Sequence, residues 1–146
     1  MTVLRMDHVT IVVEDLPAAI AFFKELGLAL EGQASVEGAW VDQLCGLDDT
    51  RADIAMMRTP DGHSALELTR YRNPPAVRPS PAIEPPNTFG IRQVMFAVDD
   101  IDDTVARLKA RGATLVREIT QYEDMYRLCY LRGPEGIIVA LAEAIG

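Results

Sequence analysis

The sequence predicts an α+β fold in which two βαβββ units in tandem form a cupped mixed sheet. An internal repeat, a glycine stop after each repeated helix and two matching hairpin turns predict this fold class. Residues 6–30 and 91–115 align without gaps, and seven of the 25 aligned pairs are identical, where about one or two would be expected by chance. Because a repeat of this kind marks a duplicated supersecondary unit, we expect two similar halves.

The first copy begins with a strand and continues with a helix. Residues 9–13 are short and rich in β-branched side chains, which favours a buried strand. Asp15 can cap the following helix, and Gly27 can end it in the left-handed conformation. The apolar stripe expected on this helix consists of Ile20, Phe23 and Leu26.

The second copy repeats the same pattern. Asp100 or Asp102 can cap its helix, and Gly112 stops it. The expected apolar stripe consists of Ile101, Val105 and Leu108.

Each half also contains a Pro-acid-Gly turn between two apolar runs, which is typical of a hairpin. These turns lie at residues 60–62 and 134–136. Each half has room for one further strand, near residues 28–37 and 113–120, and residues 39–47 of the first half can form a short extra helix.

A proline-rich connector joins the halves, because residues 73–88 contain six prolines that disfavour both helix and central strand. Residues 5–72 and 89–143 then form the two βαβββ halves. A single unit of this size would bury little core. We therefore expect one domain over residues 1–146.

Composition and charge restrict the function. The net charge of −8 and the pI near 4.7 argue against nucleic acid as a partner. No apolar run reaches the roughly 18 residues that span a bilayer, and the first residues lack the apolar segment of a signal peptide. Cys45 and Cys129 are the two cysteines, and they favour free thiols over a disulfide. These features predict a cytoplasmic protein that contacts neither membrane nor nucleic acid.

A tandem βαβββ chain that opens with Asp7-His8-Val9 resembles the vicinal oxygen chelate superfamily, the glyoxalase/bleomycin resistance/dioxygenase fold. In its enzymes each half supplies one metal ligand from its first strand and one from its last. This resemblance implies His8 and Gln93 at the first-strand positions, and Glu67 and Ala140 at the last-strand positions. It also implies a homodimer.

The implied metal site is degenerate. His8 and Glu67 are good ligands for a divalent ion, and Gln93 offers a weaker amide oxygen. The side chain of Ala140 cannot ligate. The resemblance leaves two cofactor states open, a divalent ion (Ni, Zn, Mn, Mg or Fe) or none.

Glu67 is the strongest single candidate because it stands between two leucines in a predicted strand. If the leucines face the helix, the carboxylate faces the cup and needs a metal ion, an arginine or a proton. Four other side chains are candidates for contact with a small-molecule substrate, although each also has an ordinary interpretation as core or solvated turn. They are Trp40, Met56, Tyr126 and Arg127.

Two functions remain open. The first is a metal-dependent lyase, isomerase or epimerase acting on a carbonyl-containing metabolite, with Glu67 as the catalytic carboxylate. The second is a metal-free protein that sequesters an antibiotic or metabolite in an apolar cup. The joint presence of His8 and Glu67 in one half favours the enzyme.

Overall fold

The computed structural model describes residues 2–146, which divide into two compact units after Val77. The division lies inside the connector predicted at residues 73–88. In the structure, residues 74–92 contain neither helix nor strand. Both units combine helices with a mixed sheet, so the predicted α+β class is confirmed.

The first unit contains a four-stranded sheet in the order β1-β4-β3-β2. Strand β1 runs parallel to β4, and the other pairs are antiparallel. The predicted short helix is present as α2. The elements are β1 (Val9–Val12), α1 (Leu16–Leu26), β2 (Ala29–Glu37), α2 (Ala39–Cys45), β3 (Arg51–Arg58) and β4 (Ala65–Asn73).

The second unit has five strands, and its main path runs β5-β9-β8-β6 with β7 also paired to β8. Again the first and last strands are parallel. The single strand expected near residues 113–120 is replaced by two short ones, because the chain leaves the β8 ladder after Val116 and rejoins it at Thr120. The elements are β5 (Gln93–Ala97), α3 (Ile101–Ala110), β6 (Thr114–Leu115), β7 (Thr120–Tyr122), β8 (Tyr126–Arg132) and β9 (Ile138–Ala144).

The helix boundaries follow the predicted caps. The Asp15 carboxylate accepts a hydrogen bond from the backbone N–H of Ala18 at 3.0 Å, and Gly27 ends α1 with a φ of 117°. Asp100 caps α3 in the same way through the N–H of Asp103. These bonds satisfy backbone donors that a helix start leaves unpaired. Among residues 2–146, no helix is long and apolar enough to cross a membrane.

Helix α1 covers one face of the first sheet, and this packing determines which side chains of β4 are buried. Leu66 and Leu68 of β4 are 3% and 0% exposed. Phe23 of α1 is fully buried, whereas Ile20 and Leu26 of the predicted stripe are only half-buried. Because side chains alternate along a strand, Glu67 and Thr69 of β4 point to the face that α1 does not cover. We call this the open face.

The two cysteines are free thiols in different environments. Cys45 is exposed, whereas Cys129 is buried in β8, and burial raises the pKa of the Cys129 thiol. Because the thiolate is the reactive form, we expect iodoacetamide to alkylate Cys45 in the native protein and both thiols after unfolding. Mass spectrometry of the two samples checks this prediction. Native labelling that survives in Cys45→Ser would contradict it.

Candidate functional site

Parallel pairing of β1 and β4 brings His8 and Glu67 together on the open face. Thr10 lies opposite Glu67 in the strand register, and His8 precedes Thr10 by two residues, so its side chain points to the same face. Nε2 of His8 lies 3.4 Å from Oε2 of Glu67. The two side chains are 32% and 22% exposed, which makes this a partly shielded pair at the sheet surface.

Asp7 fixes the orientation of the His8 ring. Its Oδ2 lies 2.8 Å from Nδ1 of His8, and because a carboxylate can only accept, Nδ1 is the donor. The guanidinium of Arg5 donates to Oδ1 of Asp7 at 3.0 Å. The bond with His8 and then that with Arg5 lower the pKa of Asp7. Nε2 is therefore the ring nitrogen that remains for chemistry.

Thr69 fixes one oxygen of Glu67. Its hydroxyl donates to Oε1 at 2.9 Å, and Thr69 is only 4% exposed. The other oxygen, Oε2, is the one that faces His8. Each member of the pair is thus held by a close neighbour in sequence, Asp7 for the ring and Thr69 for the carboxylate.

A positive charge between the facing atoms of His8 and Glu67 would be favourable. With Nδ1 as the donor to Asp7, Nε2 of a neutral ring presents a lone pair to a carboxylate oxygen. A proton or a metal ion can remove the repulsion. Two ligands about 2.1 Å from one tetrahedral ion lie about 3.4 Å apart, which fits the observed separation of 3.4 Å. The donor pair therefore fits a divalent ion.

Two ligands do not complete a metal site. Within residues 2–146, no cluster of three or more histidine, cysteine, aspartate or glutamate side chains is arranged to hold an ion. An ion bound by His8 and Glu67 would take its other ligands from neutral groups, water or substrate, which Mg²⁺ and open zinc sites tolerate.

The second unit has an alanine where the first has Glu67. Thr10 pairs with Glu67 in the first sheet, and its repeat partner Met95 pairs with Ala140 in the second. Strand pairing therefore gives the same correspondence as the sequence. Ala140 is fully buried and carries no donor atom.

The remaining predicted ligand, Gln93, is the first residue of β5 and is exposed. It belongs to the second unit. Its assignment as a third ligand stays a prediction.

The four predicted substrate contacts lie in different environments. Met56 lies beside Glu67 in the β3–β4 register and is half-buried. Trp40, in the first turn of α2, is 60% exposed. Tyr126 and Arg127 begin β8 in the second unit. The Arg127 guanidinium donates to the Asp102 carboxylate, with one N–O distance of 3.0 Å, so a substrate carboxylate would compete with Asp102 for it.

Reasoning from the sequence assigned no role in the site to Asp7, Thr69 or Tyr71. Thr69 and Tyr71 follow Glu67 at alternating positions of β4 and therefore share its face. Burial raises the pKa of Tyr71, and the thiol of Cys45 and the carboxylate of Glu67 act in the same direction. Polar residues two and four positions after a strand carboxylate are the signal that could have found Thr69 and Tyr71.

An open groove of 830 Å³ lies on the face that α1 covers, next to the start of that helix. Asp53 in this groove accepts a hydrogen bond from Ser35 at 2.7 Å and pairs with Arg72 at 3.3 Å. The Asp53 carboxylate is thus engaged within the protein. His8 and Glu67 do not line this groove.

Comparison with known proteins agrees with the fold. A glyoxalase family protein from Bacillus cereus shares 53% identity, with a TM-score of 0.95 over 100% of this chain and 97% of that one. The protein YaeR of Escherichia coli K12 is 26% identical over 140 residues, 95% of each chain. A V278E mutant of glyoxalase I from Zea mays has the same fold, with 20% identity and a TM-score of 0.68 over 93% of this chain and 44% of that chain.

The family model described as Glyoxalase/Bleomycin resistance protein/Dioxygenase superfamily matches residues 5–141. This range includes both units and the His8–Glu67 pair. The chain therefore belongs to the Glyoxalase/Bleomycin resistance protein/Dioxygenase superfamily.

Proposed function

We propose that this protein is a divalent-metal-dependent lyase, isomerase or epimerase that acts on a carbonyl-containing metabolite. The observation that carries the proposal is the convergence of Nε2 of His8 and Oε2 of Glu67 at 3.4 Å. Their outer partners, Asp7 and Thr69, support this assignment, since ligands of metal ions are commonly oriented by such hydrogen bonds.

A bound divalent ion would polarise the substrate carbonyl. Glu67 would act in turn as ion ligand and as the base that takes a proton from the carbon next to that carbonyl. The electron pair of the C–H bond would move toward the carbonyl, and Glu67 would later return the proton to carbon, which regenerates the carboxylate.

Titration with metal ions tests the proposal. We expect calorimetry with Ni²⁺, Zn²⁺, Mn²⁺, Mg²⁺ and Fe²⁺ to detect about one bound ion per chain for at least one of them. His8→Ala should lose this binding because it removes the Nε2 ligand. His63→Ala is a matched control, because His63 is the other histidine and lies in an exposed turn. Failure of every ion to bind, or binding unchanged in His8→Ala, would contradict the proposal.

A metal-free binding protein is the second candidate, and the buried Ala140 in the place of a carboxylate favours it. The matched superfamily includes bleomycin resistance proteins by its description. In this function the chain would bind an antibiotic or metabolite through apolar and aromatic contacts. Trp40, the single tryptophan, is 60% exposed, so its fluorescence can report such binding. A fluorescence change with bleomycin in a protein that binds no metal would favour this candidate.

Assembly and location belong to the same proposal. The family resemblance supports a homodimer, and the two free thiols support a cytoplasmic location. The net charge of −8 supports a small molecule rather than nucleic acid as the partner.

A further inference from the structure

The hydroxyl of Thr69 makes a contact that the proposed function does not itself require. It donates to Oε1 of Glu67 at 2.9 Å, while Oε2 of the same carboxylate faces His8. We propose that Thr69 is a positioning residue that occupies Oε1 and commits Glu67 to bind an ion through Oε2 alone. This inference rests on the proposed metal-binding function.

Thr69 itself is firmly held. Its backbone carbonyl accepts a hydrogen bond from Val13 at 2.9 Å. In the sheet it lies between Val12 of β1 and Ile54 of β3, so apolar side chains flank its hydroxyl. With only 4% of Thr69 exposed, water has little access to compete for the hydroxyl proton. The Thr69 hydroxyl is therefore held in place, and it donates its hydrogen bond to Oε1 of Glu67.

The hydrogen bond to Oε1 also restricts the orientation of Oε2 of Glu67. A glutamate carboxylate without a partner rotates about its last bond and can present either oxygen, or both, to a cation. A hydrogen bond to Oε1 removes that freedom before the ion arrives, so less order is lost on binding. It also keeps Oε2 aligned with Nε2 of His8. The pair is then a preformed two-atom chelate.

The His8 ring shows the same principle. Asp7 holds Nδ1 at 2.8 Å and leaves Nε2 facing Glu67. Because Asp7 is 63% exposed and Thr69 is 4% exposed, we expect the Thr69 bond to be the stronger constraint.

Three variants of the full chain test the inference. Thr69→Val keeps the shape of the side chain and removes the hydroxyl, whereas Thr69→Ser keeps the hydroxyl. Thr104→Val is a matched control, because Thr104 is 2% exposed and its hydroxyl donates to a backbone carbonyl at 2.7 Å in the second unit. Circular dichroism establishes that each variant is folded.

We expect Thr69→Val to weaken Mn²⁺ binding by tenfold or more in calorimetry, as loss of an outer-shell partner does elsewhere. Thr69→Ser should bind within about threefold of wild type, and Thr104→Val should bind like wild type. The Mn²⁺ electron paramagnetic resonance spectrum should change in Thr69→Val and not in the other two. Equal affinity and an unchanged spectrum in Thr69→Val would overturn the inference.

Crystal structures of metal-free wild type and Thr69→Val separate this inference from the function on which it rests. We expect the Glu67 carboxylate to turn in Thr69→Val so that Oε2 leaves Nε2 of His8. A carboxylate that stays in place in the variant would overturn the positioning role. Wild-type protein that binds no metal would instead reject the proposed function, while the crystal structures would still judge the positioning role.

Discussion

Glu67→Gln is expected to lower the affinity for a divalent ion by about 100-fold or more. Loss of an outer-shell partner already costs about 10- to 100-fold, and Glu67 is the carboxylate that faces His8 directly. An amide keeps the size of the side chain but removes the negative charge that a divalent cation requires most. The same change removes the proposed base, so any lyase or isomerase activity should disappear with it. Calorimetry with Mn²⁺ measures the affinity.

Glu143→Gln provides the matched comparison. Glu143 lies in β9, the strand that corresponds to β4, and its side chain is 16% exposed, close to the 22% of Glu67. Its carboxylate accepts a hydrogen bond from the backbone N–H of Ile101 at the start of α3, so it stabilises the start of that helix. We expect Glu143→Gln to retain metal affinity. Equal affinity in both glutamine variants would reject Glu67 as a ligand.

Leu68→Ala is expected to destabilise the protein by about 3 kcal/mol, since buried leucine-to-alanine changes cost about 2–5 kcal/mol. Leu68 is fully buried, and it pairs with Ile11 and Ala55 in the centre of the first sheet. The substitution would leave a cavity beneath α1, because the surrounding strands cannot move enough to fill it. The corresponding fall in melting temperature is roughly 10 °C. Urea denaturation followed by circular dichroism measures the change.

Val12→Ala is the control for this stability prediction. Val12 belongs to the same sheet, lies on the open face and is 43% exposed. Val12→Ala should lower the free energy of unfolding by less than about 1 kcal/mol, because the methyl groups of Val12 already contact solvent. A loss in Leu68→Ala no greater than that in Val12→Ala would contradict the assignment of the α1 side as the core of this unit.

The features that could be predicted from sequence depend on local physics. The Asp15 cap and the Gly27 stop act within one helical turn, so residue type and spacing are enough to place α1. The repeat then transfers the same prediction to α3, where Asp100 caps as expected. Alternation also placed Glu67 on the face opposite Leu66 and Leu68, given a helix on the leucine side.

Other features depend on contacts between distant residues. The sequence offers no local sign that the strand at residues 113–120 divides into β6 and β7, because both depend on pairing with β8. The bond from Arg127 to Asp102 is equally hidden, since 25 residues separate them. Arg127 is thus ion-paired with Asp102, and its contact with a substrate stays a prediction.

The α+β class, the duplicated units and the two residue types suited to a divalent ion can be inferred from the sequence alone. Local propensity, capping and periodicity are properties of short segments, so they can be interpreted without the fold. The contact between Nε2 of His8 and Oε2 of Glu67, which are 59 residues apart in sequence, is visible only in the folded chain. The parallel register of β1 and β4 brings the two side chains together. The hydrogen bonds with Asp7 and Thr69 leave Nε2 and Oε2 as the atoms that face each other. That register depends on pairing between segments far apart in the chain, which no local pattern encodes.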